Sequence, residues 1–248
     1  MKTLIDLTDR FPMRFDVPRM REELRELENQ RWLDHYDKGL SAGWKAIPLV
    51  SKHGRMDGPE SQRWGDLRDF ARTPVVEKLP YFGQILDAFA CPQARVRILK
   101  LMPGCGIGMH RDVAEEVACF AFHQVRLHVP IITNDRVVFH VAGQRVRMQP
   151  GRLYYVNFTR KHFVRNDGDE ARIHLVLDLH VNDFLRRVFP PLGVAERVEN
   201  AVVRNTLPVW WHTLALHRAA VKWAWQTYEG SWLQQARHKL RGAQAVER

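Results

Sequence analysis

Between Ala94 and His180 the chain is cut into short runs, "ARVRILKLM", "QVRLHVPII", "RVVFHVAG", "QRVRMQPG", "LYYVNF" and "ARIHLVLDLH", bounded by Gly, Pro, Asn and Asp. Alternation of apolar and polar residues with turn formers at the ends is the pattern of half-buried strands. Two runs fix the faces. In "QVRLHVPII", Val125, Leu127, Val129 and Ile131 point one way, and Arg126, His128 and Pro130 the other, because side chains alternate along a strand. In "ARIHLVLD", Ile173, Leu175 and Leu177 oppose Arg172, His174, Val176 and Asp178. If helices cover the apolar faces, the polar faces line the inside of a curved sheet. The expected core is a small β-barrel or jelly roll with a polar mouth.

The flanks read differently. Residues 1–90 read as mainly helical and packed on the barrel. "PRMREELRELENQRWLDHY" places Leu24, Leu27, Arg31 and His35 at helical spacing behind Pro18, and "TPVVEKLPYFGQILDAF" gives a second helix after Pro80. Residues 91–183 are the β core. Residues 184–248 form a helical, basic, Trp-rich C-terminal extension, in which Trp210, Leu214, His217, Val221, Ala224 and Tyr228 recur at steps of three and four. Such a stripe packs on its own domain, forms a homodimer contact through the C-terminal helices, or lies on a membrane surface. The fold class is thus α+β with a mainly β core.

A net charge of +10 raises nucleic acid as a partner, but from Arg204 onward seven Lys/Arg face two Glu, so half the excess sits in the extension. A solvated helix face explains it. No zinc-finger spacing, aromatic RNA-binding signature or basic heptad region is present, so no nucleic acid is expected. Cys91, Cys105 and Cys119 form no C-x-x-C, which argues against a disulfide framework or a thiolate zinc site and fits a reducing compartment. Asp6 and Asp9 interrupt the apolar core a signal peptide would need, and no apolar run approaches the ~18 residues of a transmembrane span. A cytoplasmic protein is expected.

The chemistry begins at "PGCGIGMHRD". A His-Arg-Asp triplet belongs also to the protein-kinase catalytic loop, but there an Asn follows the Asp five residues on, where this chain has Val117, and no D-F-G occurs. His110 and Asp112 instead suit one metal ion, with His162 in "NFTRKHFVRNDG" as the third candidate ligand. Two His and one carboxylate on one face of an octahedral metal are the facial triad of non-haem iron(II) oxygenases. Its open positions suit a keto-acid chelate, as of 2-oxoglutarate, and dioxygen. The far carboxylate of that co-substrate needs a fixed cation, and a guanidinium meets a carboxylate bidentately. Arg172, on an inward face, is placed for it.

The segment from about Ala94 to Asp183 resembles the aspartyl/asparaginyl β-hydroxylase family, and in particular its small bacterial, proline-hydroxylase-like branch. The residues that carry the resemblance are "RILKLMPGCGIGMHRD", "VRLHVPIITN", "GRLYYVNFTRKHFVRN" and "RIHLVLD". It implies a double-stranded β-helix of cupin-like jelly-roll form that couples iron(II), 2-oxoglutarate and dioxygen to hydroxylation. On matching positions it makes His110, Asp112 and His162 the metal ligands and Arg172 the anchor of the distal carboxylate, with Arg126 and His128 as the family's R-x-H element beside the co-substrate. The vertebrate membrane-bound members lack the carboxylate ligand that Asp112 supplies here, and the long helical-repeat domain that presents protein substrates is absent. Both departures point to a free amino acid or small amino-acid-derived metabolite.

Three other readings compete. The chain would act as an aspartyl/asparaginyl-type hydroxylase of a peptide or protein, as a cupin-like metal-binding protein without turnover, or as a scaffold for its basic tail. Arg172 weighs against the second, because an inert metal cage has no use for a buried cation.

Overall fold

The computed structural model describes residues 3–27, 30, 32–34, 43–57, 67–112, 124–198, 201, 202 and 205. Among them two antiparallel sheets form. The larger runs in spatial order β1 (Leu4–Asp6), β10 (Tyr154–Val156), β7 (Gln124–Ile132), β12 (Arg172–His180), β5 (Gln93–Leu101), β3 (Trp44–Lys52) and β2 (Leu33–Asp34), with β4 (Phe70–Arg72) also paired to β3. The smaller runs β6 (Gly106–His110), β11 (His162–Asn166), β8 (Val137–Val141) and β9 (Gln144–Arg145). From β5 to β8, and again from β10 to β12, the chain passes alternately from one sheet to the other. That winding is a double-stranded β-helix.

The large sheet is apolar on its outer face, as the alternation requires. Val125, Leu127, Val129 and Ile131 of β7 and Ile173, Leu175, Leu177 and Leu179 of β12 share one core with Met20, Phe82, Ile85 and Leu86. The last four come from two helices, α1 (Val17–Arg25) and α2 (Pro80–Ala88). Asp16 caps α1 by accepting from the Arg19 amide at 3.1 Å, and Pro18 sits in the first turn, where its missing N–H costs nothing. Glu23 of α1 accepts from the amides of Tyr81 and Phe82 at 2.6 and 3.0 Å, so one helix caps the next. Leu185 and Val188 of α3 (Asp183–Val188) join the same core. Phe82 is fully buried; truncating it to Ala removes about 3–5 kcal/mol of stability.

The expectation for residues 1–90 is corrected in two respects. Among the described residues of that stretch strands β1 to β4 arise beside the helices, and β3 pairs with β5 along most of its length. Met1–Asn200 accordingly forms one compact unit, with no break near residue 90. The first helix also ends at Arg25, and the chain at Leu33 is already strand; Arg31 and His35 lie outside the described residues. The second compact unit is Ala201–Arg248. The predicted stripe from Trp210 to Tyr228, and the dimer contact assigned to it, lie outside the described residues. No helix among the described residues is long and apolar enough to cross a membrane.

Candidate active site

The inner face of the large sheet is where the fold departs from an ordinary apolar sandwich. Here Arg95, Arg97, His128, Arg172, His174 and Asp178 are all buried. Burial of so much polar surface requires partners or ligands. The small sheet faces it with Ile107, His110, Phe139, His162 and Val164, and side chains from both sheets, with Asp112 and Phe158, line one cavity of ≈ 110 Å³.

His110 and His162 are cross-strand partners in the pairing of β6 with β11. Register therefore does what sequence separation does not, placing two rings from distant segments 4.1 Å apart between centroids. The glycines of "PGCGIG" permit the approach: a Cβ on Gly106 would lie 2.8 Å from the Val164 carbonyl oxygen. Asp112 follows the end of β6, and its amide donates to the Phe158 carbonyl at 3.1 Å. One Asp112 oxygen lies 3.6 Å from Nε2 of His110 and 3.6 Å from Nε2 of His162. Ligand atoms of the three residues fall within 4.8 Å of one another.

The protonation states suit a metal. Nδ1 of His110 is 2.7 Å from the Gly108 carbonyl oxygen and Nδ1 of His162 is 2.9 Å from that of Arg160. A carbonyl only accepts, so Nδ1 of each ring donates to it and Nε2 is the nitrogen turned toward Asp112. Burial lowers the His162 pKa to about 4, against the hydrogen bond that the ring donates to the Arg160 carbonyl, so the ring is neutral. A nitrogen, nitrogen, carboxylate donor set with aimed lone pairs fits a divalent transition metal.

Each further residue expected at the site borders the cavity. Arg126 donates from Nη1 to Asp112 at 2.5 Å and from Nε to Asp178 at 2.6 Å. It therefore grips a candidate metal ligand, which the R-x-H resemblance alone did not suggest. His128 is buried, and neither ring nitrogen has a hydrogen-bond partner among the described residues. Burial first, then the Arg172 and Arg126 guanidiniums, hold its pKa well below the ordinary histidine value. Such orphaned nitrogens fit a site completed by a small polar ligand. Arg172 is buried and its pKa is pulled down to about 10 by burial, so it stays cationic at neutral pH. Its Nη2 contacts Nδ1 of His174 at 3.1 Å.

Sequence reasoning passed over Arg95, Arg97 and the role of Asp178. Asp178 accepts from Arg95 at 3.0 Å, Arg97 at 2.9 Å and Arg126 at 2.6 Å. Burial raises its pKa, but the three guanidiniums outweigh this and hold the carboxylate ionised well below its ordinary value. Alternating arginines, as in "ARVRILK", are also the ordinary pattern of a solvated sheet face, so they carried no signal of a site. The one available signal was "HLVLD", whose inward Asp178 needs a buried cation.

The sequence profile of the aspartyl/asparaginyl β-hydroxylases matches residues 14–181. An L-proline cis-4-hydroxylase of Rhizobium meliloti (strain 1021) is 24% identical over 193 residues, covering 75% of this chain and 67% of the relative. Solved structures similar to it include HygX of Streptomyces hygroscopicus with nickel and 2-oxoglutarate bound, at 10% identity and a TM-score of 0.43 over 73% of this chain and 84% of that one. A Pseudomonas putida prolyl-4-hydroxylase has the same identity and TM-score, over 73% of this chain and 94% of the other. With the profile spanning most of the described core, the chain belongs to the aspartyl/asparaginyl β-hydroxylase family.

Proposed function

We propose that the protein is an iron(II)- and 2-oxoglutarate-dependent dioxygenase that hydroxylates a free amino acid or a small amino-acid-derived metabolite. Overall, one oxygen atom of dioxygen enters a C–H bond of the substrate and the other enters succinate, as 2-oxoglutarate loses carbon dioxide. The observation that carries this reading is the meeting of His110, Asp112 and His162 within 4.8 Å, in a cavity whose wall also bears Arg172. The relative that hydroxylates L-proline supports a small substrate.

Iron(II), when bound, supplies the activation of dioxygen. His110 and His162 would hold it through Nε2, with their Nδ1 protons fixed on backbone carbonyls. Asp112 would complete the set, oriented by Arg126. Arg172 would bind the distal carboxylate of 2-oxoglutarate through its planar fork, and neutral His128 would offer a ring nitrogen to the same molecule. Phe139, Phe158 and Val164 give the cavity an apolar lining, which would strengthen each of these charge contacts as water is displaced. The unbridged thiols of Cys91 and Cys105 agree with a cytoplasmic setting.

Succinate release in the presence of iron(II), 2-oxoglutarate and oxygen tests the reading. Wild-type protein should turn over and His162→Ala should not. Arg172→Ala should raise the KM for 2-oxoglutarate more than it lowers kcat, because the contact is remote from the reacting ketone. Loss of a charge-assisted contact costs about 1.5–3 kcal/mol, a roughly ten- to hundredfold rise. An unchanged KM would move the anchor to Arg126.

A further inference from the structure

Between β10 and β11 the chain crosses from the large sheet to the small one through a tight turn at residues 157–160, in which the Asn157 carbonyl accepts from the Arg160 amide at 3.3 Å. This turn holds two of the three triad residues, each from two sides. The Phe158 carbonyl accepts from the Asp112 amide at 3.1 Å. The Phe158 ring lies 5.4 Å from the guanidinium carbon of Arg126, the group that grips the Asp112 carboxylate. The Arg160 carbonyl accepts from Nδ1 of His162 at 2.9 Å, and the Phe158 ring meets the His162 ring edge to face, with centroids 4.8 Å apart at 74°. His110 is held differently, by the Gly108 carbonyl of its own strand.

One turn can set two ligands only if it is itself stiff. Asn157 supplies the stiffness. It is 3% exposed, and its amide donates to the Thr3 carbonyl at 3.0 Å. Its Oδ1 accepts from both the amide and the hydroxyl of Thr159, at 3.2 and 2.6 Å. An Asn side chain folded onto the chain two residues ahead fixes a turn that the backbone alone leaves loose. Neither Asn157 nor Thr159 is among the described residues that line the cavity. Their bonds therefore reach the triad only through Phe158 and Arg160.

We propose that Asn157 and Thr159 are positioning residues of the metal centre: their paired hydrogen bonds lock the turn whose two carbonyls set the Asp112 main chain and the His162 ring. The hydroxyl at 159 then matters to metal binding although it touches no ligand. Partners of this outer kind fix ring orientation, and their loss costs about ten- to hundredfold in metal affinity. This inference rests on the reading of His110, Asp112 and His162 as an iron(II) site.

The experiment is anaerobic calorimetry of the metal-free, full-length protein with iron(II), beside denaturant unfolding of the same samples. Thr159→Val removes the hydroxyl at nearly constant shape, Thr159→Ser keeps it, and Asn157→Leu removes the acceptor of both bonds. Iron(II) affinity should fall about tenfold in Thr159→Val and up to about a hundredfold in Asn157→Leu, and stay within about threefold of wild type in Thr159→Ser. A bond that serves the fold alone would lower the unfolding midpoint and leave the affinity of the folded protein unchanged. That outcome overturns the proposal. So does a Thr159→Ser protein as weak as Thr159→Val, which would place the loss in packing rather than in the hydroxyl. Should Asn157→Leu fail to fold, the two threonine variants decide alone. Normal iron(II) binding by every variant removes this proposal and leaves the iron reading standing, whereas a wild-type protein that binds no iron(II) removes both.

Discussion

Nη2 of Arg172 lies 3.1 Å from Nδ1 of His174, two residues along the same strand and on the same inner face. An arginine has only donors, so Nδ1 accepts and the imidazole proton sits on Nε2. Burial, with the Arg172 charge second, keeps the ring neutral, which is the form able to accept. His174 is thus a positioning residue for the proposed anchor. His174→Leu should raise the KM for 2-oxoglutarate by about two- to tenfold with kcat little changed. His174→Asn, whose Oδ1 can replace Nδ1, should restore most of it. Initial rates over a range of 2-oxoglutarate concentrations check both, and equal behaviour of the two variants would show that the hydrogen bond does not position Arg172.

A second prediction concerns the metal ligands and the residue behind them. Anaerobic calorimetry of metal-free protein with iron(II) should show about one ion bound, and His110→Ala or His162→Ala should abolish tight binding. Arg126→Gln removes the cation that orients Asp112 without touching a ligand. Loss of such outer partners costs about ten- to hundredfold in metal affinity. A normal affinity in Arg126→Gln would mean that Arg126 does not orient Asp112.

How much of this was legible in the sequence depends on what each signal is made of. The faces of β7 and β12 follow from alternation, which is local, and both were readable. The pairing of His110 with His162 was readable as residue types and order, although the register that joins them is not local. Strand β3 was hidden by Pro48 inside "WKAIPLV", since proline argues against a paired strand; the structure takes it with a register shift between Pro48 and Val50. The arginines of β5 were hidden for another reason. Alternating charge means solvent on an open sheet, and only a second sheet laid across that face turns it into the wall of a cavity.

Asp178 is the residue on which that wall depends. Its carboxylate is completely buried and accepts from three arginines. Asp178→Asn leaves those buried cations without their shared counter-charge, which should cost about 3–5 kcal/mol of folding stability. Denaturant unfolding of the metal-free protein measures it. A loss below about 1 kcal/mol would mean that the arginines relax to other partners.

The last prediction is the pH dependence of stability in the metal-free protein. His128 and His174 are buried, and burial lowers both pKa values well below the ordinary 6.5. In the unfolded chain both rings take up a proton near that value; in the folded chain they do not. Protons therefore favour the unfolded state, and stability should be full above about pH 6.5 and fall as the pH drops below it. Each ring contributes up to about a tenfold change in the folding equilibrium per pH unit. Asp178 acts in the same direction but later: its depressed pKa makes its stabilisation fully present above the ordinary 3.8 and lost only at lower pH. The interval from pH 6.5 to 5 thus isolates the histidines from Asp178. Unfolding midpoints across that interval should slope downward toward acid in wild-type protein and less steeply in His128→Gln/His174→Asn, where His162 and His180, whose pKa values burial also lowers, still contribute. An equal slope in the two proteins would place the acid sensitivity in other groups.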